Sequence, residues 1–468
     1  MTRARRWVAS GAAPVAVGLA LAVAARGGDH PARVLPANAV QPPGASFEQD
    51  ATRRQKAMLV RESLGATVAG FVARPLRATA LASARVAERL GVRVAGTVPG
   101  LPLAPSDPSP EAGGPCTPAR LTPLYDSGPA YQALLDLIAG ARCRVDLMIF
   151  GWDDDTAGRR VADALIARAR EGLPIRLLVD RGGFLLGTGN ARAGRGLPTF
   201  LDALKAEPNI RVIEAPGPFF RYDHRKVAVV DDRIVWTGGM ILTRSSLERW
   251  HNFAFLAEGA IVPQYAALFA GRWAELGGCP APACAAATDI PAAAPNAAVR
   301  MVRTDLDERS LRDAVYGAVD SAKHHITLEN PYFGDQILVK KLVAAAGRGV
   351  DVRAILTMRG DVASFNRIVN FQANALLRGG VRVFLYPAMT HVKAMSVDGD
   401  LAYLGTGNFD ELSLRNNREV ALMVRGPALI REIDEHLFGR DLAASEELRA
   451  LLPAPRGQLA LRALLLWY

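Results

Sequence analysis

Two short segments of this chain carry residues suited to attack on a phosphodiester. His224-Arg-Lys-Val-Ala-Val-Val-Asp231 returns, class for class, as His391-Val-Lys-Ala-Met-Ser-Val-Asp398. Each copy has a histidine, a lysine two positions on and an aspartate five beyond that. Together they supply two imidazoles and two ammonium groups. One imidazole can attack phosphorus and the other can donate a proton, while the lysines hold the anionic oxygens. A single His-x-Lys pair would say little, because a spacing of two merely puts both side chains on one face of a strand.

The residues downstream make the repetition specific. Gly405-Thr406-Gly407-Asn408 and Asn417-Arg418-Glu419 follow the second copy, and Gly238-Gly239 and Asn252 follow the first. Glu419 stands as far beyond His391 as Asn252 stands beyond His224. The spacing implies that each ring is oriented by a partner, His391 by Glu419 and His224 by Asn252. His251, next to Asn252, reads as a hydrogen-bonded interfacial histidine.

The elements that must position these groups also repeat. A helical pattern over 131–142, a strand over 145–150, an amphipathic stretch and a strand over 175–179 precede the first motif. A helix over 311–323, a strand over 326–333, a helix over 336–348 and a strand over 350–356 precede the second. Alternating strands and helices predict α/β units in each half, and the repetition predicts a duplicated domain. Composition divides the chain into 1–25, a basic helical and linker region 26–118, a first half 119–280, an Ala/Pro linker 281–298 and a second half 299–468 with an apolar tail.

On the two H-x-K-x4-D motifs, the glycine-rich segments, Asn417-Arg418-Glu419 and Asn330-Pro331-Tyr332-Phe333, the chain resembles the phospholipase D superfamily, and within it the bacterial cardiolipin synthases. The resemblance covers approximately residues 120 to 445. It implies two α/β halves related by a pseudo-two-fold axis, with one shared active site at their interface. It also implies a covalent phosphohistidine intermediate. His224, Lys226, Asp231, His391, Lys393 and Asp398 form the implied catalytic set. Asn408, Thr406, Glu419 and Asn252 bind phosphate or orient the rings. Asp231 and Asp398 carry a second reading, as carboxylates that stabilise the strand-to-loop turn. Family precedent makes His224 the nucleophile, whereas the assignment of Glu419 to His391 favours His391.

Two positions depart from the family pattern. Ile241 stands where many relatives have Asn, and Asn252 stands where synthases usually carry an acid. No cofactor is expected, and no metal, because the seven histidines form no cluster with ligand spacing.

Half the residues are hydrophobic and the formal net charge is +10. The charge favours an anionic partner, a lipid surface or nucleic acid. The membrane-seeking ends favour anionic glycerophospholipids and leave nucleic acid the lesser alternative. Arg3, Arg5 and Arg6 before the apolar run 7–25 predict a signal peptide or a single membrane anchor, hence an exported enzyme, periplasmic or facing the periplasm. Of four cysteines, Cys279 and Cys284 are expected to pair, leaving Cys116 with Cys143 as the second pair or Cys143 as a buried thiol. The reading is a phosphatidyltransferase making cardiolipin-type lipids. The alternatives are a phospholipase-D-type hydrolase, a phosphodiesterase or nuclease, and a catalytically weakened lipid-binding homologue.

Overall fold

The computed structural model describes residues 109–186, 198–216, 221–284, 294–361 and 363–453. The expected signal or anchor, the basic region to 108 and the apolar tail lie outside the described residues. Among the described residues, no helix is long and apolar enough to cross a membrane.

The duplication is written in the strand order. Seven strands form each half. In the first they are β1 (Cys116–Tyr125), β2 (Val145–Ile149), β3 (Ile175–Asp180), β4 (Ile210–Ala215), β5 (Val227–Val230), β6 (Ile234–Gly238) and β8 (Phe253–Gly259). In the second they are β9 (Ala297–Thr304), β10 (His325–Asn330), β11 (Asp351–Thr357), β12 (Arg382–Tyr386), β14 (Ala394–Val397), β15 (Leu401–Gly405) and β16 (Glu419–Arg425). With β17 (Glu446–Glu447) at one edge they make a single sheet, ordered β17-β12-β11-β10-β14-β15-β16-β9-β1-β8-β6-β5-β2-β3-β4. The order is a palindrome about the antiparallel β1–β9 pair, which is the sheet expression of a pseudo-two-fold axis. A further pair, β7 (Trp250–His251) with β13 (Met389–Thr390), runs parallel and ties one half directly to the other.

The inner parallel strands are mostly apolar, and the charged pair they carry, Asp146 with Arg176 at 2.6 Å, is buried between them. All five residues of β2 and all six of β3 are buried, as expected where helices cover both faces. Helix α1 (Ser127–Gly140) and helix α2 (Thr156–Arg170), the latter capped by Asp155 on the Gly158 amide, pack over the first half. Helix α3 (Val262–Glu275) lies on the other face. In the second half α4 (Ser310–Ser321) and α5 (Gln336–Gly347) repeat α1 and α2, with Asp335 capping α5. Each half has its own core, and a third cluster joins them. Val227, Phe253 and Phe255 from the first half share it with Ala394, Leu404, Val420 and Leu422 from the second. Burying each such aliphatic or aromatic side chain stabilises by about 1.5–3 kcal/mol, so the interface is a core rather than a docking contact.

Two expectations change. Cys143 pairs with Cys284, at an Sγ–Sγ distance of 2.07 Å, and Cys116 and Cys279 are free and exposed. The reason is local. The Cys284 amide donates to Asp232 at 3.0 Å and the Arg144 guanidinium to the Pro282 carbonyl at 2.6 Å, which lays the segment beside Cys143. The Cys279 carbonyl instead accepts from the Trp273 indole at 2.9 Å. The first half also opens its first strand at Cys116, ahead of the boundary that composition suggested.

Asp231 and Asp398 are the second correction, since neither sits with the histidines. Each occupies a hairpin turn with positive φ, 56° and 53°, a conformation that Asp tolerates better than most residues. The Asp231 carboxylate accepts from the amides of Arg142, Cys143 and Arg144 at 2.7–2.9 Å. That of Asp398 accepts from Lys323, His324 and His325 at 2.8–2.9 Å. Seven residues of extended chain at about 3.3 Å each put these turns roughly 20 Å from the histidines. The aspartates lock the turn; they have no oxygen to spare for chemistry at the far end of the strand.

Candidate active site

His224 and His391 each begin the short extended run that enters β5 or β14, and each is seated by the opposite half. The His224 amide donates to the Arg418 carbonyl at 3.0 Å, and the His391 amide to the His251 carbonyl at 2.6 Å. Gly239 is small for this reason. A Cβ there would stand 2.3 Å from the His391 carbonyl oxygen, so any side chain would push the halves apart.

The partners of the two rings cross as well. His224 Nδ1 lies 2.7 Å from Glu419 Oε1, and His391 Nδ1 lies 3.0 Å from Asn252 Oδ1. The matched spacing is therefore real, but each partner serves the other half's histidine. Glu419 is fully buried and also accepts from Thr406 Oγ1 at 2.6 Å and Ser413 Oγ at 2.7 Å. Asn252 donates through Nδ2 to the Ser246 carbonyl at 3.0 Å and lies 2.9 Å from Ser127 Oγ. That engagement leaves Oδ1 as acceptor, so His391 Nδ1 carries a proton and its Nε2 keeps the lone pair. A carboxylate only accepts, so His224 has the same tautomer.

The lysines are the costliest members. Lys226 and Lys393 are 0% and 1% exposed. Their ammonium groups donate to the carbonyls of their own histidines, at 2.5 and 2.9 Å. Lys226 also lies 5.1 Å from the centre of the Phe150 ring. Burial pushes Lys226 down to about 7 despite the pull of Glu419. Burial and the charge of Lys226 hold Lys393 well below the usual lysine range. Burial likewise lowers His224 to about 4, against the opposing charge of Glu419. It lowers His391 well below 6.5, with both lysines and His224 adding to the effect. Burial depresses the protonation of all four groups in one site, neighbouring cations add to it at His224, His391 and Lys393, and an arriving anion would oppose both effects.

Asn408 is 5% exposed, and its buried Oδ1 has no hydrogen-bond partner among the described residues. The following residue is fixed, with the Phe409 amide donating to Asn330 Oδ1 at 3.0 Å. The equivalent Ile241 is 4% exposed and folded against Gly151, where a Cβ would meet its side chain at 3.2 Å. The amide of one half is an aliphatic packing group in the other.

Eight of the expected residues thus converge: His224, Lys226, His391, Lys393, Glu419, Asn252, Thr406 and Asn408. Sequence reasoning missed four more. Phe150 stands edge-on to His224 at 4.5 Å, and Trp250 packs on His391 at 5.0 Å. Ser246 and Ser413 hold the ring partners, and the two serines stand equally far beyond their motif histidines. That matched offset was the available signal. The arrangement can bind a monoanionic phosphoryl group between two lysines and present two imidazole lone pairs to it. Such a charge-stabilising site needs no further group to polarise phosphorus.

Comparison with known proteins shows the family and the fold. The family described as "Cardiolipin synthase, PLD-like domain" matches residues 134–273 and 316–441, one span in each half. The cardiolipin synthase of Clostridium perfringens (strain 13 / Type A) is 23% identical over 337 residues, which cover 67% of this chain and 68% of that protein. Cardiolipin synthase A of Klebsiella pneumoniae (strain 342) is 27% identical over 354 residues, 70% of this chain and 68% of that protein. Among solved structures, the phosphatidylserine synthase of Haemophilus influenzae Rd KW20 has the same fold. Its TM-score is 0.58 at 16% identity, over 75% of this chain and 95% of that one.

Proposed function

This chain belongs to the PLD-like, cardiolipin synthase family, and from that premise we propose that it is a phosphatidyltransferase. It would form cardiolipin-type lipids from phosphatidylglycerol or another glycerophospholipid through a phosphohistidine. The observation that carries the reading is the crossed pairing, in which both imidazoles of one site present Nε2 beside two buried lysines anchored on backbone carbonyls.

The partners divide the labour. Attack by His224 Nε2 on phosphorus forms the P–N bond and makes that ring cationic, and only His224 has a carboxylate against its Nδ1–H. The bond from phosphorus to the glycerol oxygen breaks, and that oxygen takes a proton from His391 Nε2. The bound phosphodiester anion offsets the charge of the lysines and so favours the protonated His391 that this step needs. In the second step the acceptor hydroxyl returns a proton to His391 Nε2. Its oxygen displaces His224, whose nitrogen recovers the electron pair. Lys226, Lys393 and Asn408 hold the non-bridging oxygens, where negative charge accumulates in the transition state. Pairing Glu419 with His224 removes the argument that favoured His391 as nucleophile.

Export, with the catalytic body in or facing the periplasm, belongs to the same proposal. The arginines and apolar run at the start of the chain support it, as does the Cys143–Cys284 bond, which persists in an oxidising compartment.

The test is to incubate the full-length protein with phosphatidylglycerol vesicles and follow the lipids by mass spectrometry, beside His224→Ala and His391→Ala. Cardiolipin and free glycerol, absent from both variants, are expected. Phosphatidic acid as the product would make the enzyme a hydrolase. Absence of product from every headgroup offered would overturn the lipid reading.

A further inference from the structure

Crossing of the ring partners has a counterpart one residue earlier in the chain. His251 and Arg418 hold matching places beyond the two motif histidines. Each lends its carbonyl to the opposite motif and immediately precedes the residue that orients the opposite ring. Both side chains are gripped by two carboxylates, one from each half. Arg418 has Glu275, on α3, at 2.8 Å and Asp305, just after β9, at 3.2 Å. His251 has Asp126, just after β1, at 2.5 Å through Nδ1, and Asp441, near the end of the second half, at 2.7 Å through Nε2. A histidine occupies the place of an arginine in an otherwise equivalent clamp.

We propose that His251 is a positioning residue held as an imidazolium, an ionic clamp that fixes Asn252 and the backbone of His391 as Arg418 fixes Glu419 and the backbone of His224. The geometry carries this. Both ring nitrogens face carboxylate oxygens at hydrogen-bond distance, and a carboxylate only accepts, so both must donate. The β7–β13 pair places Thr390 opposite His251 and Met389 opposite Trp250. A shift of the clamp therefore moves the strand that ends at His391.

Every charged or titratable group facing the ring fits the assignment. Asp126 is held below the usual carboxylate range, the hydrogen bond to His251 outweighing burial, and Arg440 pairs with its other oxygen at 2.8 Å. Glu329, fully buried beside Asp441, is raised well above the usual range by burial and by that neighbouring charge. It accepts from Thr390 Oγ1. Tyr386 stacks on the ring at 5.1 Å, and burial raises its hydroxyl to about 12. Burial would lower His251, but the bonds to Asp126 and Asp441 prevail and raise it to about 10.

His251, Glu329 and Asp441 bring ligand atoms within 4.8 Å of one another, a set that a divalent cation could also use. A cation would require the Nε2 lone pair, whereas Nε2 stands at hydrogen-bond distance from Asp441. The cluster holds a proton where a metal would sit.

Two readouts on the full-length protein test the clamp. The first is nitrogen-detected imidazole NMR, with the His251 signal identified by its loss in His251→Arg. Both ring nitrogens should remain protonated through pH 8. The second, which rests on the proposed transferase activity, compares variants on phosphatidylglycerol vesicles. His251→Gln keeps a donor but no charge and should lower kcat by about tenfold or more with KM unchanged, because small misplacement of a reacting group is costly. His251→Arg should stay within about threefold of the parent, since the other clamp already uses that residue type.

A neutral ring at pH 8, one equivalent of a divalent ion in the purified protein, or a His251→Gln variant with unchanged kcat would each overturn the proposal. If the parent protein turns over no lipid, the transferase reading has failed and the NMR result decides the clamp by itself.

Discussion

His224 leans on a carboxylate and His391 on an amide, although the two rings occupy equivalent places in a duplicated chain. The same substitution pattern runs through the surroundings. Arg418 is matched by His251, Asn408 by Ile241 and Thr406 by Gly239, whereas the serines at 246 and 413 are retained. What persists is the scaffold that aims each Nδ1–H. What diverges is the charge behind it and the donors beside it. A phosphohistidine mechanism needs Nε2 of both rings at phosphorus, but only the covalently bonded ring stays cationic through the intermediate, and that ring has the buried anion. Duplication supplied two equal half-sites, and the divergence fits two unequal jobs.

That comparison is most severely broken at Glu419. Glu419→Gln keeps the shape and removes the charge, and turnover should fall by up to about 10⁴-fold, the loss found when the orienting carboxylate of a catalytic triad is neutralised. Asn252→Ala should cost less, because His391 loses an orienting acceptor but no charge. Equal losses in steady-state assays of the two variants would mean that the halves do the same work.

Asn252→Asp sharpens the contrast by making the halves alike. A carboxylate against His391 Nδ1–H favours the protonated ring. The alkaline limb of the pH–rate profile should therefore move up by about one unit or more, with peak turnover changed by less than about tenfold. An unmoved limb would remove His391 as the proton donor.

Acid should expose the cost of burying these rings. His224 falls from 6.5 in the unfolded chain to about 4 in the fold. Its contribution to stability is therefore fully present above about pH 6.5 and is lost as the pH falls towards 4, because the unfolded chain binds the proton first. The melting temperature should drop across that window, and His224→Gln should flatten the drop. Identical pH dependence in parent and variant would contradict the assignment.

The smallest effect on turnover is expected at the disulfide, which staples only the first half. The turn at Asp231 carries the Cys143–Cys284 bond, while the equivalent turn at Asp398 relies on amides alone. Cys143→Ser should cost about 2–4 kcal/mol of stability and leave turnover unchanged. Chemical denaturation of the oxidised and substituted proteins, with lipid assays alongside, measures both.

Much of this was legible along the chain. The paired motifs, the equal offsets to Asn252 and Glu419 and the repeating strands and helices identify two α/β halves and name eight residues that meet. Mostly apolar stretches such as 145–149 and 175–179 announce inner strands covered on both faces, and their one charged residue each, Asp146 and Arg176, pair with one another. The aspartates of the motif were misleading for a related reason. Spacing records that they travel with the histidines, but not that an interior strand carries the two ends of a motif to opposite ends of that strand. Cysteine order was equally silent, since Cys279 and Cys284 are neighbours in sequence, whereas the hydrogen bonds that Asp232 accepts and Arg144 donates choose the partner.

The chain by itself determined which chemical groups exist in duplicate and how far each lies from its neighbours. Only the tertiary structure decided who serves whom. The offset along the chain is the same whether Glu419 faces its own histidine or the other, so local sequence cannot distinguish the two. The antiparallel β1–β9 seam and the shared core beneath it bring the first residue of β16 against His224, and Asn252, just ahead of β8, against His391. The pairing is a property of the interface, which forms only when both halves bury the same apolar surface.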